Sequence, residues 1–405
     1  MRANTPGFVG ERLIQARKSL RLSGIGLASL LDVSPTTISQ YEKNKQSPRP
    51  EVMDRLCQVF GLQRSFFMRR AVERGERTIL YRSLSSVSKT ARERAEARFE
   101  WLREITEYLG ESFDFPKLNL PKLSLPEDFR QLTHSHIEEA AQACREFWGF
   151  GDGAIADVVL AMESNGIIVA RGSLDSEGLD AFSEYLKNDF AYVFLGNDKG
   201  VSARSRFDAA HELGHLVLHR GIKSREFGQP KDFKVVEAQA HRFAAAFLLP
   251  LESFINSVWA PTLDAFRAQK EIWGVSIKGM IVRARQAELL NDFQYQRMLI
   301  NYARRFRNRE PGDEALSIEN PRLLARCFYA LEENGIRTRE QILSDLPFAA
   351  SDIEELSGLP RGYFARRGEV IQMPTLKQRR GPRDEIASNS NDTGQVISLN
   401  KRRAV

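Results

Sequence analysis

One stretch, Arg206–Pro250, constrains this 405-residue chain more than any other. It opens RFDAAHELGHLVLH and closes VVEAQAHRFAAAFLLP, and it holds four of the six histidines: His211, His215, His219 and His241. His211, Glu212 and His215 spell H-E-x-x-H. On a helix, side chains at i and i+4 lie one above the other. Both imidazoles therefore reach one metal ion without bending the backbone. Glu212 projects about 100° further round, which turns it from the ion towards a water. A metal that lowers the pKa of water, beside a carboxylate that takes the proton, is the machinery of a zinc hydrolase.

A tetrahedral zinc site with one open position needs a third protein ligand, and Glu237 is the best placed. It opens a second helical run in which Ala240, Ala244 and Phe247 follow at helical spacing. The interval from His215 allows a helix, a turn and a return. His219 lies one turn beyond His215 and His241 one turn beyond Glu237, where each is placed to orient a ligand by a hydrogen bond, and His219 is also open as a fourth ligand that would close the site. Tyr185, Tyr192, His219 and His241 are all open as the group that stabilises an oxyanion.

The pair HELGHLVLH and EAQAHRFAAAFLLP resembles the ImmA/IrrE family of metallopeptidases over roughly residues 130–300. The resemblance assigns His211, His215 and Glu237 as zinc ligands and Glu212 as the catalytic glutamate. It implies regulated cleavage of a repressor or other regulatory protein in a bacterial or phage circuit. The sequence departs from the family pattern at His241, where an Asn is usual.

The basic charge is confined to one end. Residues 1–70 hold twelve Lys or Arg against five Asp or Glu, whereas the whole chain is only +6. A polyanion partner is therefore expected for the N-terminal part alone. That part reads as small helices. Ser34 is a good N-cap, and Pro35 suits the first helical position. Ile38 and Tyr41 fall on one face of the helix that follows, which leaves Thr36, Thr37 and Gln40 on the other. The run S-x-x-x-I-S-x-Y-E-x-x-K-x-x-P, from Ser34, resembles the XRE family of Cro and lambda-repressor-type helix-turn-helix domains. The resemblance implies duplex DNA as a partner. Gln40, Thr36 and Thr37 are placed for base edges. Lys43, Asn44, Lys45 and Arg49 are placed for phosphates.

Between the two lies a connector. Residues 74–89 are basic and serine-rich, and residues 91–111 form an amphipathic helix suited to packing on the catalytic domain or to pairing with a second copy as a homodimer. PKLNLPKLSLP, from Pro116, reads as an extended linker. Strands are expected over 166–170 and 191–195, and the second is a candidate edge to which an extended substrate could add. Further helices follow Pro250, and the Arg-rich tail after residue 372 is expected to be disordered.

The expected architecture is α+β and mainly helical: an all-α helix-turn-helix domain followed by a zincin-like metallopeptidase domain with a small sheet and a helical C-terminal region. The expected boundaries are 1–69 for DNA binding, 70–128 for the connector, 129–300 for the peptidase, 301–372 for the helical region and 373–405 for the tail. Three distant cysteines, Cys57, Cys144 and Cys327, form no disulfide framework, and no apolar run reaches membrane-spanning length. The expectation is a cytoplasmic transcription regulator with a zinc endopeptidase domain and a protein substrate, itself a regulatory DNA-binding protein. The competing expectation is an inactive peptidase-like sensor or oligomerisation module on a transcription factor.

Overall fold

The computed structural model describes residues 5–71, 77–81, 88–174, 180–186, 190–197, 200–220, 222, 230–306 and 309–365. The tail expected over 373–405 lies outside them. Residues Met1–Phe364 cluster as one compact unit.

Four helices build the N-terminal module: α1 (Gly10–Ser19), α2 (Gly24–Leu31), α3 (Pro35–Glu42) and α4 (Pro50–Phe60). Their ends follow local chemistry. The Ser23 and Ser34 hydroxyls accept from Gly26 N and Thr37 N, proline opens α3 and α4, and Gly61 closes α4 in the left-handed conformation. Gly10 is required by space. A Cβ there would lie 2.3 Å from Tyr41 O, because α1 starts against the end of α3.

The connector is not a tether. It begins with a strand, β1 (Arg77–Tyr81), and continues as α5 (Lys89–Gly110), which buries Phe99, Trp101, Leu102, Ile105 and Leu109. Phe66 of the N-terminal module packs on Trp101, with ring centroids 5.9 Å apart. Gln15 Nε2 donates to Glu100 Oε2 at 2.6 Å. The PKLNLPKLSLP segment is extended, as expected, but laid down on the protein. Leu118, Leu120, Leu123 and Leu125 pack on the core that includes Leu213 and Phe247, and Asn119 N donates to Asn165 O. Its alternating leucines give it an apolar side to bury.

After α6 (His134–Phe147) and α7 (Val158–Ser164) come β2 (Ile167–Gly172), β3 (Ala181–Leu186) and β4 (Ala191–Gly196). With β1 they form one sheet in the order β1-β3-β4-β2, in which β2 and β4 are parallel and the other pairs antiparallel. β4 is therefore interior and offers no edge to a substrate strand. β3, whose sequence AFSEYL has a weak strand signature, covers the side that reads as open. Alternate residues of β2 and β4 enter different cores, as period-two geometry requires. Ile168, Ala170, Tyr192 and Phe194 face α5; Ile167, Val169, Ala191, Val193 and Leu195 face the core of the metal-motif helices.

That second core is built on α8 (Ser202–Leu218) and α9 (Pro230–Leu248), backed by α10 (Leu251–Ser257), α11 (Leu263–Trp273), α12 (Ile277–Gln286) and α13 (Asp292–Arg305). The last helices, α14 (Leu323–Glu333), α15 (Arg339–Asp345) and α16 (Ala350–Ser357), return to the first core. Gln63 N donates to Pro347 O at 3.3 Å, so the N-terminal module and the C-terminal helices touch directly.

Candidate metal centre

The H-E-x-x-H segment lies within α8, and Glu237 lies on the antiparallel neighbour α9. The two helices approach closely at Gly214. A Cβ there would meet Phe243 Cδ1 at 3.0 Å and Phe243 Cβ at 3.1 Å. The missing side chain lets Phe243 seat against α8 and brings Glu237 over the two imidazoles. His211 Nε2 and His215 Nε2 are 3.1 Å apart. Glu237 Oε2 is 3.4 Å from His211 Nε2, and Glu237 Oε1 is 3.3 Å from His215 Nε2.

These spacings test whether the residues suit zinc. Two donors each about 2.0–2.1 Å from a tetrahedral ion stand about 3.3 Å apart. The three observed separations bracket that value, and the donor set of two imidazoles and a carboxylate is the one such an ion takes. His211 and His215 are buried, while Glu237 keeps about a fifth of its side chain exposed, so the cluster is open on the Glu237 side. Glu212 is fully buried on the same helix.

A second layer fixes this cluster. His219 Nδ1 lies 3.0 Å from His215 Nδ1, and His219 Nε2 lies 2.9 Å from Gln239 Oε1. Both ring nitrogens are thus engaged, which removes His219 as a further ligand and as an oxyanion donor. Burial, with His215 beside it, pushes the His219 imidazole down to about 3, so it is neutral. His241 Nδ1 donates to its own helix at Glu237 O, 2.7 Å away, and its ring meets His211 edge to face at 4.4 Å. These contacts tie its ring to the backbone at Glu237 and to the ring of His211.

Tyr192 is on the wrong side of the sheet. It packs against Phe99 of α5 and its hydroxyl bonds Thr106, with burial raising its pKa. Tyr185 of β3 packs into the core that contains α8. Of the four groups open as oxyanion stabilisers, Tyr185 and His241 remain on the metal-cluster side with capacity for the role. Gln239 has no sequence signal. An isolated amide in an apolar helix carries no pattern, although its position two residues after Glu237 turns it to the His219 side.

In the N-terminal module, Thr36, Gln40, Lys43, Lys45 and Arg49 are exposed, and Thr37 is half-buried beside its bond to Ser34. Asn44 is also at the surface, in the left-handed conformation, but its Oδ1 accepts from Gly10 N at 2.6 Å. Its carboxamide therefore ties the loop after α3 to the start of α1.

A buried H-E-x-x-H helix crossed by a carboxylate-bearing helix defines a metallopeptidase-like domain, here joined to a helix-turn-helix module. The comparisons agree. Residues 162–283 match the peptidase family model described as the IrrE N-terminal-like domain, and residues 13–67 match the model described as helix-turn-helix. The chain is a fusion of an XRE-type helix-turn-helix domain with an IrrE-like peptidase domain. No curated protein matches it. Among the described residues, no helix is long and apolar enough to cross a membrane.

Proposed function

We propose that the chain is a DNA-binding regulator whose peptidase domain is an active zinc endopeptidase. The observation that carries this reading is the convergence of His211, His215 and Glu237 at 3.1–3.4 Å beside a buried Glu212. His211, His215 and Glu237 hold the zinc, which when bound supplies a Lewis acid for the scissile carbonyl. Glu212 takes a proton from the attacking water and returns it to the leaving amine. Its burial in an apolar helix pair places that proton transfer away from bulk water. The substrate is a regulatory DNA-binding protein, in keeping with the family resemblance. α3 enters the major groove, with Gln40, Thr36 and Thr37 towards the bases and Lys43, Lys45 and Arg49 on phosphates.

The functional boundaries we propose are residues 1–69 for DNA binding and 129–300 for proteolysis, with 70–128 and 301–372 joining them. The apolar stripe of α5 packs within the chain, so it supplies no seam for a homodimer. The test is proteolysis in cells. A full-length chain with Glu212→Gln should bind zinc as the wild type does and fail to shorten any DNA-binding protein. Cleavage at wild-type rate by that variant would exclude Glu212 as the base.

A further inference from the structure

The contacts behind His215 form a chain with a direction. Gln239 Nε2 donates to Phe129 O at 2.7 Å. A backbone carbonyl can only accept, so the nitrogen of this amide must face it, and the amide oxygen must face His219. That oxygen also only accepts, so His219 Nε2 carries a hydrogen. A neutral imidazole has one N–H, and His219 is fully buried. Its Nδ1 is then bare and accepts across 3.0 Å from His215 Nδ1. His215 therefore carries its proton on Nδ1, and the lone pair of its Nε2 points at His211 Nε2 and Glu237 Oε1.

The far end of the chain is held in place. Phe129 lies in a short 3-10 turn, Phe129–Gln131, and the guanidinium of Arg130 pairs with Asp232 of α9 at 2.8 Å. Asp232 and Gln239 thus fasten this turn to α9 at two points. Phe129, Gln239, His219 and His215 are all buried, so water does not compete for the hydrogen bonds.

We propose that Gln239 is a positioning residue: anchored on the Phe129 carbonyl, it sets the tautomer of His215 through His219 and so presents a bare Nε2 to the metal. Were the amide reversed, each proton in the chain would reverse, and His215 would aim an N–H at His211. An acceptor for His219 at position 239 is therefore the essential feature, not the volume of the side chain. The metal part of this inference rests on the zinc reading above, but the tautomer is a property of the metal-free protein.

The test separates the two. Full-length protein labelled with 15N at histidine shows six rings, assigned by single His→Gln substitutions, and two-bond couplings report the protonated nitrogen of each. In metal-free wild type, His215 is expected as the Nδ1–H form and His219 as the Nε2–H form. Gln239→Met keeps length and volume but has no comparable acceptor. It should give a mixture of tautomers at His215 and weaken zinc binding about 10–100-fold in a chelator competition. A wild-type His215 protonated on Nε2, or an unchanged His215 tautomer in a folded Gln239→Met, would overturn the proposal. Wild type that binds no zinc but shows the expected tautomers would refute the zinc reading and leave the relay standing.

Discussion

Arg12 of α1 and Glu104 of α5 face each other as a two-point pair: Nη2 stands 3.0 Å from Oε2, and Nη1 contacts Oε1. Arg12 is almost completely buried and also donates to the Arg69 and Arg70 carbonyls. The pair sits where the DNA-binding module meets the connector helix, whose Phe99 meets Phe182 and Tyr192 of the sheet at centroid distances of 5.6 and 5.3 Å. A continuous apolar path therefore runs from α1 to the sheet on which the metal helices rest.

A buried guanidinium left without its carboxylate is costly. Glu104→Ala should lower stability by about 3–5 kcal/mol. The variant that also replaces Arg12 by Met should recover part of it. Because the two modules share one core, calorimetry of the full chain should show the N-terminal helices melting with the sheet. A separate early transition for the N-terminal module would contradict the shared core.

Glu163 provides a pH dependence. It is 3% exposed, and its carboxylate accepts from Arg322 N and Leu323 N at the start of α14. Burial pushes its pKa up to about 7 from an ordinary 4.5. Between these values the folded protein binds the proton and the unfolded chain does not. The stability linked to Glu163 is thus complete below about pH 4.5 and is lost as pH rises through about 7, by up to roughly 3 kcal/mol. Thermal melts from pH 5 to 8 should show this decline, and Glu163→Gln should flatten it. An unchanged slope in that variant would assign the decline to another group.

Gly214 sets the spacing of α8 and α9. Gly214→Ala gains about 1 kcal/mol of helix propensity. Against this, its methyl group must displace Phe243, whose ring is stacked on Phe247 at 5.8 Å and has little room to yield. Overpacking of this kind costs about 1–3 kcal/mol, so a net loss is expected. Glu237 should also move off the imidazoles. Zinc affinity should fall, and Phe243→Leu should restore it in the double variant, as measured by chelator competition.

The convergence of His211, His215 and Glu237 was the most legible part of the chain because it follows from local helical spacing: His211 and His215 within one turn of α8, Glu237 in the next apolar run. Pairing was not legible. Whether β4 is an edge depends on β3, which fills the side away from β2, and β3 is itself covered by β1, which arrives from about a hundred residues away. RTILY in a basic, serine-rich stretch does not announce a strand until it finds its partner. The side of the sheet that Tyr192 occupies was equally hidden, since alternation is visible in a sequence but the assignment of faces is not. Gln239 was invisible because its role depends on a carbonyl at Phe129, 110 residues earlier.

For DNA binding, the exposed basic loop after α3 gives a direct expectation. Full-length protein should bind duplex DNA with affinity that falls steeply with salt. Lys45→Ala should weaken all sequences alike and reduce the salt slope by about 1, whereas Gln40→Ala should cost about 1–3 kcal/mol at one base pair. Asn44→Ala should instead lower the melting temperature, since its side chain holds Gly10 N. Gel-shift titrations at several salt concentrations, beside thermal melts, distinguish these outcomes.

Zinc stoichiometry in the purified full-length protein bears most directly on the metal centre. Elemental analysis should find about one zinc per chain in the wild type and in Glu212→Gln, because three side chains other than Glu212 form the ligand set. His211→Ala and Glu237→Ala should each lose most of it while remaining folded by circular dichroism. Equal zinc in all four proteins, or none in the wild type, would contradict a metal held by His211, His215 and Glu237.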